Sequence, residues 1–297
     1  MAQQVKRNSS SRGKGPASKG KGSQTGLIVA AISLVVVVAV VAALVLVKLN
    51  SSSSGSSSSG TNQLASPSLV AAVTGVPNSA LASATVPAGS ITMPYKITGG
   101  PTFESAGKPV VLYMGADYCP YCAAERWPLI IALSKFGTFK NLHVTSSSSS
   151  DVYPNTQTFS FYGSSYSSPY IDFQGVEMTT NKQVNGSYPT LMNPTPLQQK
   201  YFNQYDKPPY TSLAAGIPFI DFANKYIISG PSYSPGLLAG LSRNSIAGSL
   251  TIQGTVTNGA ILPSANLIIA TICKTDGNQP GSVCSIPAVK SIEASLK

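Results

Sequence analysis

Gly107-Lys108-Pro109-Val110-Val111-Leu112-Tyr113-Met114-Gly115-Ala116-Asp117-Tyr118-Cys119-Pro120-Tyr121-Cys122-Ala123-Ala124-Glu125-Arg126-Trp127-Pro128 is the stretch on which the fold turns. A Gly107–Pro109 turn opens it, and Val110–Met114 is a short apolar run of buried-strand type. From Pro120 to Phe136 the pattern becomes helical, with Ala123, Trp127, Ile130 and Ile131 on one face and Pro128 expected to kink it. Asn141 to Thr145 reads as the next strand, closing a strand, helix, strand unit. The cysteines therefore fall where a strand hands over to a helix.

That placement has chemical consequences. A sulfur at a helix mouth meets unpaired backbone N–H groups and the positive end of the dipole, which favour thiolate over thiol. Cys119 is the candidate nucleophile, and Cys122, one turn inside, is placed to attack a mixed disulfide formed at Cys119. Proline as the second motif residue suits the first helical turn, where its missing N–H costs little.

A single C-x-x-C also has the spacing of half a zinc site. The other cysteines, Cys273 and Cys284, have ten residues between them, and the lone histidine, His143, sits in a strand pattern. A zinc site of Cys119, Cys122, Cys273 and Cys284 is thus the alternative to a redox pair, and the expectation is no metal and no cofactor. Cys273 and Cys284 flank a turn-rich loop after the apolar, helix-like Ala265–Ile272. They are expected as a structural disulfide, with a relay pair serving Cys119–Cys122 as the other reading.

Working outward, the chain has 297 residues, 10% of them charged, with 26 glycines and 22 prolines. That composition excludes a coiled coil and a charge-rich disordered chain. The formal charge of +10 is a property of the tail: Lys6, Arg7, Arg12, Lys14, Lys19 and Lys21 precede residue 27 with no acid among them. From residue 49 onward 13 bases face 10 acids, so no nucleic-acid surface is expected. Gly15 to Gly22 imitates a phosphate loop but ends in glycine and follows no strand.

Leu27 to Val47 is an uncharged run of 21 residues. At 1.5 Å per residue it spans about 31 Å, the thickness of a bilayer's hydrocarbon core. A cleaved signal peptide would have a shorter core and a small-residue cleavage site, whereas Lys48-Leu49-Asn50 and serines follow here. The positive-inside bias puts the tail in the cytoplasm and everything after residue 48 outside. The expected organisation is a basic tail over 1–26, a single transmembrane helix over 27–47, a Ser-rich linker or stalk over 48–89 and a folded domain over 90–297. Asn50 and Asn185 head N-glycosylation triplets.

Residues 107–128, with Thr158–Gly163 and Gly216–Asn224, resemble an archaeal family of membrane-anchored proteins known as domain of unknown function 929. The resemblance runs from about residue 90 to 297 and implies an α/β, thioredoxin-like fold; the family's activity is not established. Such folds carry a cis-proline opposite the C-x-x-C pair, which Ile217-Pro218 before Phe219-Ile220 matches; a trans proline opening an edge strand is the other reading. In related enzymes the backbone there holds the substrate peptide, so Ile217 and Pro218 are the candidate substrate-binding residues.

Departures from the thioredoxin pattern are plain. Tyr113 stands six residues before Cys119, where thioredoxins have a buried aspartate. Glu125 or Asp117 would substitute, unless both are solvated surface charges, the reading preferred here. The helix proline is one position late. About 70 residues separate the His143 strand from Pro218, an enlarged insertion rich in tyrosine, including Tyr153, Tyr162, Tyr166 and Tyr170, suited to a lid or partner surface.

Two functions are therefore expected in competition. One is a membrane-anchored, single-pass, extracytoplasmic thiol–disulfide oxidoreductase whose partners are thiols and disulfides of secreted or surface proteins. The other is a non-catalytic surface binding or structural protein using the same scaffold, with Cys119–Cys122 as a staple.

Overall fold

The structure is a computed structural model that describes residues 63–84, 93–211, 214 and 216–296. The expected tail, transmembrane helix and tether, with Asn50, lie outside the described residues. All described residues fall within one compact unit spanning 59–297.

In chain order the elements are β1 (Gln63–Leu64), α1 (Pro67–Thr74), α2 (Asn78–Ser83), β2 (Tyr95–Lys96), β3 (Glu104–Ser105), β4 (Lys108–Gly115) and α3 (Pro120–Leu133). There follow β5 (Thr138–Lys140), β6 (His143–Ser146), β7 (Gln157–Ser160), β8 (Ser165–Ser167), β9 (Asp172–Glu177) and α4 (Pro196–Tyr205). The chain closes with β10 (Phe219–Phe222), β11 (Tyr226–Ser229), a 3-10 turn at Pro235–Leu238, α5 (Arg243–Ser249), α6 (Val256–Asp276), α7 (Gly281–Cys284) and α8 (Pro287–Ser295). The fold is mixed α/β.

β4 is the centre of the main sheet. It pairs parallel with β9 (Tyr113↔Gly175) and antiparallel with β10 (Tyr113↔Ile220), and β10 continues antiparallel to β11, which pairs β2. Successive side chains of a strand point to opposite faces, and here both faces are covered. Val111 and Tyr113 belong to the core shared with α3 and α6, whereas Val110, Leu112 and Met114 join the core with Tyr201, Phe202 and Tyr205 of α4. A strand buried on both faces reads as a continuous apolar run, which is why Val110–Met114 was legible.

Every residue of α3 except Tyr121 is buried, as expected of a helix that is apolar nearly all round. Pro128 lies inside α3 and Pro263 inside α6. α6 is the one helix among the described residues long and apolar enough to cross a membrane. Its side chains from Ile261 to Cys273 are buried in the fold, and Asn266 donates to the carbonyls of Leu81 and Ala84, so it serves as a core helix.

Two expectations need correcting. Asn141–Thr145 does contribute a strand, β6, but it pairs antiparallel with β1 and β7 in a separate sheet. The parallel partner of β4 is β9, whose Asp172, Gln174, Gly175 and Glu177 interrupt any apolar run. The stalk expected over 48–89 is folded where it is described: β1, α1 and α2 pack on the core through Leu69, Val73, Val76 and Leu81, all buried. The Ser66 hydroxyl caps α1, and Pro67 opens it. Serine and alanine richness there reflects caps and close packing of short helices.

Candidate functional site

The loop from Ala116 to Cys119 carries the chain from β4 into α3. Cys119 is the N-cap of α3, and its sulfur accepts a hydrogen bond from the backbone N–H of Cys122 at 3.3 Å. Both cysteines are free thiols. Opposite them the Ile217–Pro218 peptide bond is cis, and the Ile217 carbonyl lies 3.8 Å from the Cys119 sulfur, which is oriented to donate to it. Residues 98 apart in sequence thus meet at one point because β10, which follows Pro218, pairs with β4, which precedes the dithiol.

The two thiols are unequal. A hydrogen bond from the Cys122 side chain lowers the Cys119 pKa against the opposing effect of burial, helped by backbone donors at Cys122 and Tyr121 and by the Arg126 charge. Burial pushes Cys122 well up, and the neighbouring Cys119 adds to it. Cys119 is therefore the more readily ionised of the two thiols and Cys122 the less. Access is narrow, since Cys119 is 4% exposed and Cys122 fully enclosed.

Tyrosines frame this opening. Tyr118 stacks on Tyr188 at 4.3 Å, and the Tyr188 hydroxyl donates to Ser148. Tyr121 meets Tyr153 edge-on at 6.0 Å. Tyr153 comes from the enlarged insertion and Tyr188 from the loop after β9. Of the other tyrosines there, Tyr166 packs against Phe139 and Phe173. On the Ile217 side a groove of about 490 Å³ is lined by Met93, Tyr95, Tyr121, Tyr210 and Ile228 without a charged residue.

Beneath the dithiol lies a buried ionic cluster. Arg126 donates from Nε and Nη2 to the two carboxylate oxygens of Glu177 at 2.8 and 2.5 Å, and Nη2 also donates to the Ala116 carbonyl at 2.8 Å. Asp117 Oδ1 is 3.6 Å from the same nitrogen. The guanidinium carbon stands 5.9 Å from the Tyr113 ring centroid. Burial raises the Asp117 pKa to about 7, with Glu177 adding to the rise and Arg126 opposing it.

Glu125, on another side of α3, accepts hydrogen bonds from the N–H and hydroxyl of Ser232, and burial raises its pKa to about 7. Solvated surface positions were expected for Glu125 and Asp117. Instead they are 0% and 2% exposed, because α3 is enclosed on all sides and the Ala116–Cys119 loop is covered by Glu177 and Arg126.

Cys119, Cys122, Ile217 and Pro218 are thus brought together, while Cys273 and Cys284 are not part of this group. Those two are joined in a disulfide that ties the end of α6 to α7, with Cα atoms 5.7 Å apart, so the four-sulfur zinc alternative is not formed. The Arg126–Glu177 pair was missed by sequence reasoning. Its one available signal was adjacent charges, Glu125-Arg126, on a helix with otherwise apolar faces.

No curated protein and no solved structure matches the chain. The family model described as a domain of unknown function, DUF929, matches residues 94–274, a span that takes in the dithiol, the Arg126–Glu177 pair and Ile217-Pro218, and the chain belongs to that family.

Proposed function

We propose that the protein is a membrane-anchored, extracytoplasmic thiol–disulfide oxidoreductase of thioredoxin-like fold that acts on secreted or surface proteins. The observation that carries the reading is the Cys119 sulfur at the N-cap of α3, 3.8 Å from the Ile217 carbonyl. Support for the fold comes from the strand order β9-β4-β10-β11, with β9 parallel to β4 and the next two antiparallel, and from helices on both faces.

In the reductive direction the Cys119 thiolate attacks a client disulfide. The client S–S bond breaks, a Cys119–client disulfide forms, and the departing client sulfur takes up a proton. Cys122 then loses its proton and attacks the Cys119 sulfur, leaving a Cys119–Cys122 disulfide and a client reduced by two electrons. Run backwards from the oxidised chain, the same steps place a disulfide in a client, the direction favoured outside the cell. Ile217 is suited to hold the client backbone over the sulfur.

The test is trapping. The Cys122→Ser chain should accumulate mixed disulfides with client proteins on non-reducing gels, and Cys119→Ser should not. Equal trapping by both, or none by either, overturns the reading.

One observation favours the second reading, a non-catalytic surface scaffold: the Cys119 sulfur is nearly enclosed. A redox titration separates the two. A staple has a potential below about −300 mV, and an exchanging pair lies well above it.

A further inference from the structure

Arg126 occupies an unusual place. It lies one helical turn past Cys122 and two turns past Cys119, on the same side of α3, and is fully buried. A buried ion pair is weak grounds for stability, since apolar residues of similar volume often serve as well. Its position directly behind a dithiol therefore calls for a chemical account.

The Ala116 backbone links the two. Its carbonyl accepts both from Arg126 Nη2 at 2.8 Å and from the Cys119 N–H at 3.2 Å. Glu177, at the end of β9, takes two of the guanidinium's donors, while Nη1 is buried without a hydrogen-bond partner among the described residues. The remaining ionisable groups facing this cluster are Tyr113 from β4 and Asp117 and Tyr118 from the loop.

We propose that Arg126, clamped by Glu177, is the positioning residue that sets how readily the Cys119–Cys122 dithiol ionises, acting through the Ala116 backbone and its own charge. The inference rests on the thiol–disulfide reading. Arg126 favours negative charge on the sulfurs in a poorly solvated site, and Glu177 both fixes the guanidinium and offsets part of its field. The direction agrees with the lowering of Cys119 by the Arg126 charge. Charge neutralisation on the two sides of the clamp must then move the thiol in opposite directions.

The test uses full-length, reduced Arg126→Gln, Arg126→Lys and Glu177→Gln chains. The pH dependence of Cys119 alkylation by iodoacetamide is followed by mass spectrometry. Arg126→Gln is expected to move the midpoint up by about one pH unit, roughly tenfold less thiolate at a given lower pH. Glu177→Gln is expected to move it down, and Arg126→Lys to stay within about half a unit of the parent.

A packing role would loosen the same loop in both glutamine variants and shift both the same way. Same-direction shifts, or none, in folded variants overturn the proposal. Should Arg126→Gln not fold, a downward shift in Glu177→Gln supports it and an upward or absent shift defeats it. Client trapping by Cys122→Ser reports separately: trapping without opposed shifts removes Arg126's role and leaves the oxidoreductase. Opposed shifts without trapping leave a tuned dithiol and remove the oxidoreductase.

Discussion

Gly115, the last residue of β4, shows how closely the site is packed. Tyr113 and Gly115 lie on the same face of the strand, and the Tyr113 ring folds over the glycine. A Cβ there would meet the Tyr113 hydroxyl at 2.2 Å and its ring at 2.5 Å. The ring cannot easily retreat, because it is fully buried between Arg126 and Phe161. Gly115→Ala should therefore cost about 1–3 kcal/mol by overpacking, read as a lower urea midpoint with unchanged slope. An unchanged midpoint would mean that Tyr113 has room the packing denies it. At this scale the sequence was legible where chemistry is local. Cys119 and Cys122 announce themselves by spacing, and Ile217-Pro218 by its apolar sequel. Glu177 could not be read, because its partner stands 51 residues away and nothing near either residue names the other.

Among the elements, α3 and β4 were legible because one is a helix apolar nearly all round and the other a strand apolar on both faces. β9 was not, since its outer position on the sheet tolerates Asp172, Gln174 and Gly175, and the period-2 signal is lost. The same reasoning explains α1 and α2, whose few apolar positions, Leu69, Val73 and Leu81, are sufficient for short helices laid over a large core. The Cys273–Cys284 disulfide acts at this scale too. It closes a short loop between two helices, tying the end of α6 to α7. Replacing both cysteines by alanine should lower stability by about 3 kcal/mol through the freed unfolded chain, measured in urea. Cys119 alkylation should keep its rate, and a changed rate would revive the relay reading.

For the molecule as a whole, the distribution of acids dictates an unusual response to pH. Burial raises Glu125, Asp221 and Asp276 to about 7 and Asp206 to about 6. Among the described residues the only ion pairs are those of Arg126 with Asp117 and Glu177, so hydrogen bonds alone hold these four: Ser232 on Glu125, the Asn224 N–H on Asp221, Ser229 on Asp206 and the Gln279 N–H on Asp276. One oxygen each of Asp206, Asp221 and Asp276 is buried without a hydrogen-bond partner among the described residues. In the unfolded chain the same groups titrate near 4. The native state therefore binds more protons than the unfolded state between about pH 4 and 7, and stability falls as pH rises through that window. The contribution is complete below about pH 4 and gone above the native values, the reverse of what paired carboxylates give. Urea midpoints should accordingly decline from pH 4 to pH 8. Glu125 and Asp221, the most enclosed, should carry most of the slope, so Glu125→Gln and Asp221→Asn should each flatten it. A midpoint that rises over this range would mean these carboxyls fold in their charged form.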